Sequence, residues 1–190
     1  MIQRRFCAVA TCLAAAALAT APAKASDIPA TGTFTMTTAP GILPAWNAAD
    51  VTIVGIAPGT VTTGRFGNDA TVTLPVVARN GTATATAGGF RIVNTDSGAS
   101  VRCIIPAIDT RARVIDCLTT AGYNAALFAI EDIEGRQNFT TPSRRSTLVQ
   151  GMEIRLTPSG VATLNRALGV RAFSTSVTVA DGNLFASQAR

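Results

Sequence analysis

Three acidic residues, Glu131, Asp132 and Glu134, form the densest group of side chains in this sequence that acid–base chemistry could use. A glycoside hydrolase needs two carboxyl groups about 5–10 Å apart across a cleft. The alternative interpretation is a solvated turn next to Gly135, and the sequence favours it. A carboxylate-dependent hydrolase is therefore the third of three functional hypotheses.

Other catalytic groups are scarce. The sequence contains no histidine, and Lys24 is its only lysine. Mechanisms that pair serine or cysteine with histidine are excluded, as are zinc sites that use histidine. A Ser–Lys dyad would depend on a lysine that we expect to be removed during export. No catalytic residue and no metal ligand is assigned, and a non-enzymatic role is favoured.

Two further motifs have a functional and a structural interpretation. The run Asp181-Gly182-Asn183 matches part of a calcium-binding loop, but the EF-hand spacing is absent and a β-turn from Ala180 explains it better. Arg136, Arg144 and Arg145 form a basic patch that could contact phosphates or acidic glycans. The patch lacks interleaved aromatic residues, so we interpret it as a soluble loop and expect no nucleic-acid partner.

Cys103 and Cys117 lie in two β-branched-rich segments, residues 101–108 and 112–118, which a polar turn separates. The spacing favours a structural disulfide that closes a loop of about 15 residues. The alternative is two free thiols or a redox pair, although neither a C-x-x-C motif nor a metal-ligand spacing is present. A hairpin that pivots near Thr110 pairs Cys103 with Cys117, Ile105 with Ile115 and Ala107 with Arg113.

The first 25 residues have the three parts of a secretory signal peptide. Arg4 and Arg5 form the basic start, residues 6–19 are apolar and rich in alanine, and Ala23-Lys24-Ala25 supplies the cleavage pattern before Ser26. The apolar segment is short for a membrane span, and no later segment approaches 18 apolar residues. We therefore expect a secreted protein, periplasmic or extracellular, with no transmembrane segment after cleavage.

Cleavage before Ser26 would leave 165 of the 190 residues, which is enough for a single β-rich domain over residues 26–190. It would also remove three basic residues and lower the net charge from +5 to +2, with 13 basic residues against 11 acidic ones. The high isoelectric point is therefore partly a property of the signal peptide. The two remaining cysteines suit an oxidising compartment.

The hydrophobic pattern predicts a mainly β fold, an antiparallel sandwich or barrel-like sheet with one short helix in the C-terminal half. Strands are predicted over residues 31–38, 51–56, 70–78, 82–87, 90–94, 101–108, 112–118, 123–131, 148–156 and 174–179. A polar connection is predicted over residues 137–145, and a turn over residues 180–183.

The helix is predicted over residues 158–168. Thr157 can cap it, Pro158 takes its first position, and Gly169 follows as the stop. Val161, Leu164 and Leu168 lie on one face of this helix, which we expect to pack against the sheet.

The order of segments from Gly88-Gly89-Phe90, through a strand, a turn and a strand ending at Ile108-Asp109, resembles the core of HtaA-type domains. The run from Leu156 to Asn165 is similar to the capped helix that follows the last long strand in such domains. HtaA-type domains occur in secreted bacterial proteins, some of which handle heme. The resemblance covers roughly residues 88–180 and implies a β-rich fold, a cell-envelope setting and heme as a candidate ligand.

Heme-binding members of that family carry a tryptophan-containing motif near the domain start, followed by the tyrosine that ligates iron. Residues 31–46 of this chain end at Trp46 but contain no tyrosine, so the ligand role does not transfer from that motif. Tyr123 is the only tyrosine and the only candidate cofactor-binding residue. The alternative is an ordinary strand aromatic packed near the sheet.

These observations together predict an exported, non-enzymatic domain of the cell envelope or extracellular space with a binding or scaffolding role and no resident cofactor. The first alternative is a protein that binds heme or another apolar ligand, and the second is the hydrolase. The expected partner is a cell-envelope component or an apolar ligand.

Overall fold

An antiparallel barrel forms the centre of the protein in a computed structural model that describes residues 28–120, 122 and 124–190. The predicted signal peptide, its cleavage point and Tyr123 lie outside the described residues. The strands are β1 (Ile28–Thr38), β2 (Val51–Ile56), β3 (Thr60–Thr63), β4 (Ala70–Asn80), β5 (Ala83–Thr86), β6 (Gly89–Asn94), β7 (Ser100–Asp109), β8 (Val114–Leu118), β9 (Asn124–Thr140), β10 (Arg144–Leu156) and β11 (Thr178–Ala189). The helices are α1 (Ile42–Asn47) and α2 (Pro158–Leu168).

Eight of these strands close into a ring in the order β7, β5, β4, β1, β11, β10, β9, β8, because β8 pairs back to β7. β6 and β2 extend from β7, and β3 lies beside β4. The interior of an eight-stranded barrel is just wide enough for side chains to fill it. Fully buried side chains of the ring strands fill it here, among them Phe34, Leu74, Ile108, Met152 and Ile154. The predicted β class is confirmed, and the sheet is a barrel.

The two ends of the barrel differ. α1 and α2 lie where β1, β8 and β10 end, and we call this the helix end. There Trp46 of α1 packs edge-on against Phe173, with ring centroids 5.3 Å apart. The opposite end carries the turns at residues 81–82, 110–113 and 141–143, and we call it the hairpin end.

The start of α2 is fixed to β9 by its cap, as the sequence predicted. Thr157 Oγ1 accepts a hydrogen bond from Gly160 N at 2.9 Å and donates one to Ala126 O at 2.6 Å. A Cβ at Gly160 would lie only 2.3 Å from Leu127 O, so the helix approaches the strand too closely for any side chain there. The cap therefore both satisfies the helix terminus and sets the helix position.

The other end of α2 reaches the end of β6. Asn94 Nδ2 donates a hydrogen bond to Leu168 O at 3.0 Å, and Gly169 ends the helix with φ +69°. Leu164 and Leu168 are buried beneath the helix, as the sequence predicted. α2 is thus hydrogen-bonded to the sheet at both ends.

The chain bends sharply at Gly88 and Gly89. β5 and β6 both pair with β7, but on the other side β5 pairs with β4 and β6 pairs with β2. A Cβ at Gly88, which has φ +72°, would lie 2.3 Å from Gly59 N, and one at Gly89 would lie 2.1 Å from Cys103 O. These two glycines therefore allow the chain to pass from β5, which pairs with β4, to β6, which pairs with β2.

Cys103 and Cys117 form the disulfide that the spacing favoured, and both are buried. The register predicted around them is wrong. β7 bulges at Ile105 and Pro106, and Ile105 leaves the β8 ladder with φ +48° and donates its N–H to Gly88 O at 2.7 Å. The turn ends two residues later than predicted, so the structure pairs Asp109 with Val114, Ile108 with Ile115 and Ala107 with Asp116. The bulge then changes the register by one residue, and beyond it Ile104 pairs with Leu118.

The turn between β7 and β8 is organised by Asp109. Its Oδ1 accepts hydrogen bonds from Arg111 N at 2.8 Å, Ala112 N at 3.0 Å and Thr82 Oγ1 at 3.0 Å. Burial opposes ionisation, but these hydrogen bonds and the charge of Arg111 outweigh it and lower the pKa of the Asp109 carboxyl. The polar turn predicted there is confirmed, but it spans residues 110–113, whereas residues 109–111 were predicted.

Two predicted connections are strand instead. Of residues 137–145, only 141–143 form a connection, because β9 runs on to Thr140, β10 starts at Arg144, and their polar residues pair in the ladder. The predicted turn at residues 180–183 lies inside β11, which pairs with β1 and β10. Gly182 leaves room there for the side chain of Ile154, since a Cβ at residue 182 would lie 2.8 Å from Ile154 Cδ1. Ladders on both sides override the turn propensity of this segment.

Removing the disulfide should lower the free energy of unfolding by about 2–4 kcal/mol, because the bridge restricts the unfolded chain over a separation of 14 residues. Urea denaturation of the exported protein with and without reductant measures this change. The Cys103→Ala/Cys117→Ala double variant should match the reduced protein. Equal midpoints for the oxidised and reduced protein would contradict a stabilising bridge.

Replacing Leu164 with Ala should cost about 2–5 kcal/mol, because its fully buried side chain leaves a cavity under α2. Denaturant unfolding gives the value. Ala162→Ser, at an exposed position of the same helix, is the control and should change stability by no more than about 0.5 kcal/mol. Similar small effects for both variants would show that α2 does not pack as described.

Candidate functional site

A cleft of about 400 Å³ opens at the helix end of the barrel, between α2 and the adjoining ends of β7 and β8. We call it the helix-end cleft. Because core side chains fill the barrel, a ligand must bind at the surface, in a cleft of this kind. It is lined by Ser100, Val101, Thr119, Thr120, Thr163, Arg166 and Ala167.

One wall of the helix-end cleft belongs to α2. Thr163, Arg166 and Ala167 are spaced three and four residues apart, so they share one helix face. Leu164 lies on the buried face and fixes the rotation of the helix. Because the hydrogen bonds at both ends of α2 fix its position, this wall is rigidly placed.

The facing wall is held by the disulfide. Val101 precedes Cys103 by two residues on β7, and Thr119 follows Cys117 by two residues at the end of β8. Residues two apart on a strand point to the same side, and all four of these side chains are buried. The bridge therefore sets the distance between the two strands directly beside the cleft.

The chemistry of the helix-end cleft is mainly apolar, with one cation. Val101 and Ala167 supply apolar surface, and hydroxyl groups of serine and threonine supply hydrogen-bonding groups. Arg166 is exposed at the cleft and forms no ion pair with any residue that the structure describes. A guanidinium group without a carboxylate partner is suited to an acidic group on a ligand. The cleft can thus hold an apolar molecule that carries a carboxylate.

The sequence did not identify these residues as a site. Arg166 carried a signal, since it lies on the polar face of a helix whose opposite face was recognised as core. Thr119 and Val101 carried none, because their places at the cleft depend on how β7 and β8 meet α2.

The three carboxylates singled out from the sequence do not form a catalytic pair. Glu131, Asp132 and Glu134 are exposed on the single strand β9, and Gly135 pairs with Gln150 in the ladder, so the predicted turn is wrong. None of the three lines the helix-end cleft. Strand geometry places no second carboxyl group across a cleft from them, and the hydrolase hypothesis gains no geometric support.

The calcium-loop fragment also lies in regular structure. Asp181 pairs with Glu153 on β10, and Glu153 pairs in turn with Asp132 on β9. Hydrogen bonds from Thr178 and Arg155 lower the pKa of the Glu153 carboxyl. Within residues 28–120, 122 and 124–190, no three His, Cys, Asp or Glu side chains are placed to hold a metal ion.

The predicted basic patch is divided by the fold. Arg144 and Arg145 are neighbours at the start of β10, so their side chains leave opposite faces of the sheet. Arg145 lines a second cleft, at the hairpin end, together with Arg79. Arg136 of β9 donates a hydrogen bond to Thr110 Oγ1 at the same end. The fold thus adds Arg79, which no sequence pattern had linked to the other arginines.

Comparison with known proteins supports the fold. The chain matches no protein-family model and no curated protein sequence. Among solved structures, its fold is similar to that of a heme-binding protein of the Hta type. This is HtaB from Corynebacterium glutamicum, whose crystal structure matches with a TM-score of 0.52 at 12% sequence identity, over 85% of this chain and 95% of that chain. The resemblance to HtaA-type domains is thereby supported at the level of fold.

Proposed function

We propose that this protein is an exported, non-catalytic binding domain whose helix-end cleft takes an apolar molecule bearing an acidic group, and that heme is the first ligand to test. The observation that carries the proposal is the cleft itself, with apolar surface on two fixed walls and the exposed Arg166 at its side. The fold similarity to HtaB, a heme-binding protein, supports the choice of heme.

The dimensions and lining of the cleft fit this ligand class. Small-molecule sites commonly have volumes of about 300–1,000 Å³ and combine apolar surface with a few polar groups. A porphyrin carries two carboxylates on a flat apolar ring, so one carboxylate can pair with Arg166 while the ring covers Val101 and Ala167.

Iron ligation would depend on Tyr123. None of the described lining residues is a histidine, tyrosine, methionine or cysteine. Tyr123 follows Thr120, a lining residue, by three positions in the sequence. A tyrosinate is an established axial ligand of heme iron, and it would supply the bond that the cleft lacks. The motif at residues 31–46, where the heme-binding members of the family carry their tyrosine, contains none in this chain.

Export follows from separate features. The first 25 residues have the pattern of a signal peptide, and the bridge between Cys103 and Cys117 suits an oxidising compartment. No helix in the part of the chain that the structure describes is long and apolar enough to cross a membrane. A periplasmic or extracellular place gives the cleft access to ligands from the medium or from a cell-envelope partner.

Hemin added to the purified protein should produce a saturable shift of the Soret band. Arg166→Gln should weaken this binding by about tenfold, because it removes one charge-assisted hydrogen bond. Arg171→Gln removes the same charge outside the cleft and should change the affinity by less than about twofold. Tyr123→Phe should change the position of the Soret band by removing the axial oxygen.

Metal-free protoporphyrin separates ring binding from iron ligation in the same assay. Its affinity should fall in Arg166→Gln and stay unchanged in Tyr123→Phe. If neither hemin nor protoporphyrin binds the wild-type protein saturably, the proposal is wrong for this ligand class. Equal effects of Arg166→Gln and Arg171→Gln would instead place binding outside the cleft.

The exported protein should begin at Ser26, because signal peptidases cut after small-x-small patterns such as Ala23-Lys24-Ala25. Intact-mass measurement of the protein from culture medium and from periplasmic extract tests this. Ala25→Arg should block cleavage and leave a longer precursor in the cells. A secreted protein that retains residues 1–25 would overturn the assignment.

A further inference from the structure

A second cleft, of about 270 Å³, opens at the hairpin end of the barrel and is unlike the first in chemistry. We call it the hairpin-end cleft. Its polar lining combines two arginines with amide and hydroxyl side chains that can also donate: Arg79, Asn138, Thr140, Arg145, Ser146, Thr147 and Gln188. No aspartate or glutamate is among the residues that line it. A surface rich in donors and free of carboxylates is suited to an anion.

Arg79 is held inside this cleft by one hydrogen bond across the hairpin end of the barrel and by a second one to the adjoining turn. Two strands, β1 and β11, separate β4 from β10 in the ring, yet Arg79 Nη1 donates to Thr147 Oγ1 on β10 at 2.5 Å. Arg79 Nε donates to Gly81 O at 3.0 Å. Both bonds fix the guanidinium plane, so the remaining N–H groups keep a set direction.

Thr147 links this guanidinium to an amide. Its buried hydroxyl accepts from Arg79 and donates to Asn138 Oδ1 at 2.9 Å. Because Oδ1 of Asn138 is used as the acceptor, the Nδ2 group is left as the donor of that side chain. The hydrogen-bond chain thus orients a second donor at the cleft.

Among the residues that the structure describes, positive charge accumulates around Arg79 without a counter-charge. Arg145 lines the same cleft, and Arg136 lies close by. Burial and then the charge of Arg136 lower the pKa of the Arg79 guanidinium. Among the described residues, the only ion pair joins Arg155 to Glu153, so none of these three arginines has a carboxylate partner. Bringing like charges together costs free energy that a bound anion would offset.

We infer that the hairpin-end cleft binds a small oxyanion of the phosphate or sulfate type, held by Arg79 and Arg145 with Arg136 as a nearby third charge. The planar fork of arginine matches two oxygens of such an anion, and the fixed plane of Arg79 lowers the entropy lost on binding. The site lies at the opposite end of the barrel from the helix-end cleft, so it does not depend on the function proposed above.

Isothermal titration of the exported protein with inorganic phosphate at low ionic strength tests this inference. The wild-type protein should show one saturable site. Arg79→Gln and Arg145→Gln should each weaken phosphate binding by about tenfold, since each removes a charge-assisted contact. Arg144→Gln makes the same charge change on the opposite face of β10 and should alter the affinity by less than about twofold.

Arg79 also makes structural hydrogen bonds, whereas Arg145 is exposed, so Arg145→Gln keeps the test valid if Arg79→Gln does not fold. Absence of saturable binding up to about 10 mM phosphate, two decades beyond a Kd of about 0.1 mM, would overturn the inference. So would equal losses in Arg145→Gln and Arg144→Gln, because these would indicate diffuse charge.

Sedimentation with phosphatidylcholine vesicles, with and without phosphatidic acid, distinguishes a lipid phosphate from a free one. Binding of inorganic phosphate in solution supports the cleft whether or not the vesicles bind. Binding to phosphatidic acid vesicles with no response to inorganic phosphate would overturn it, because the ligand would then be a membrane surface.

Discussion

The close approach of three backbone segments at Gly59, Gly88 and Gly89 is the constraint on which the rest of this structure depends. Any Cβ at Gly88 or Gly89 would lie within 2.3 Å of a backbone atom of a neighbouring segment. Without side chains there, the chain can pass from β5 to β6 and stay paired with β7 on one side. On its other side the neighbouring strand changes from β4 to β2. β7 adapts with its bulge at Ile105, whose N–H is taken by Gly88 O. β7 therefore belongs both to the closed barrel and to the extension formed by β6 and β2, and the two glycines make this possible.

This corner also determines the geometry of the helix-end cleft. Cys103 lies opposite Phe90, directly after the corner, and its disulfide fastens β7 to β8 at that level. The strands are thus held where Val101 and Thr119 form one wall of the cleft. α2 forms the other wall and is positioned independently, by the cap at Thr157. The two walls of the cleft thus have anchors that share no residues, so neither wall can move without breaking covalent or capping contacts.

Features that depend only on neighbouring residues in the sequence were predicted correctly. Thr157, Pro158 and Gly169 fix both ends of α2 through contacts within a few residues, and the helix was therefore predicted with its observed bounds. The register of β7 and β8 was not predicted, because the turn runs on to Arg113 and the bulge at Ile105, which is hydrogen-bonded to Gly88, changes the register again. Asp181-Gly182-Asn183 carries turn residues, yet two ladders and the contact of Gly182 with Ile154 hold it extended. Arg79 and Arg145 become neighbours only when the ring closes.

The two clefts lie at opposite ends of a barrel whose interior is filled. Phe34, Leu74 and Met152 are fully buried between them, and packing at interior density leaves no passage. Every basic residue after Lys24 is an arginine. Both ends of the barrel therefore carry planar guanidinium groups, which can bind two oxygens at once, and neither carries the compact ammonium group of a lysine. At the helix end one guanidinium stands beside apolar surface, which suits a carboxylate on a large apolar body. At the hairpin end several guanidinium groups stand among amides and hydroxyls, which suits a compact oxyanion. The same side chain would thus suit different ligands at the two proposed sites, because its surroundings differ.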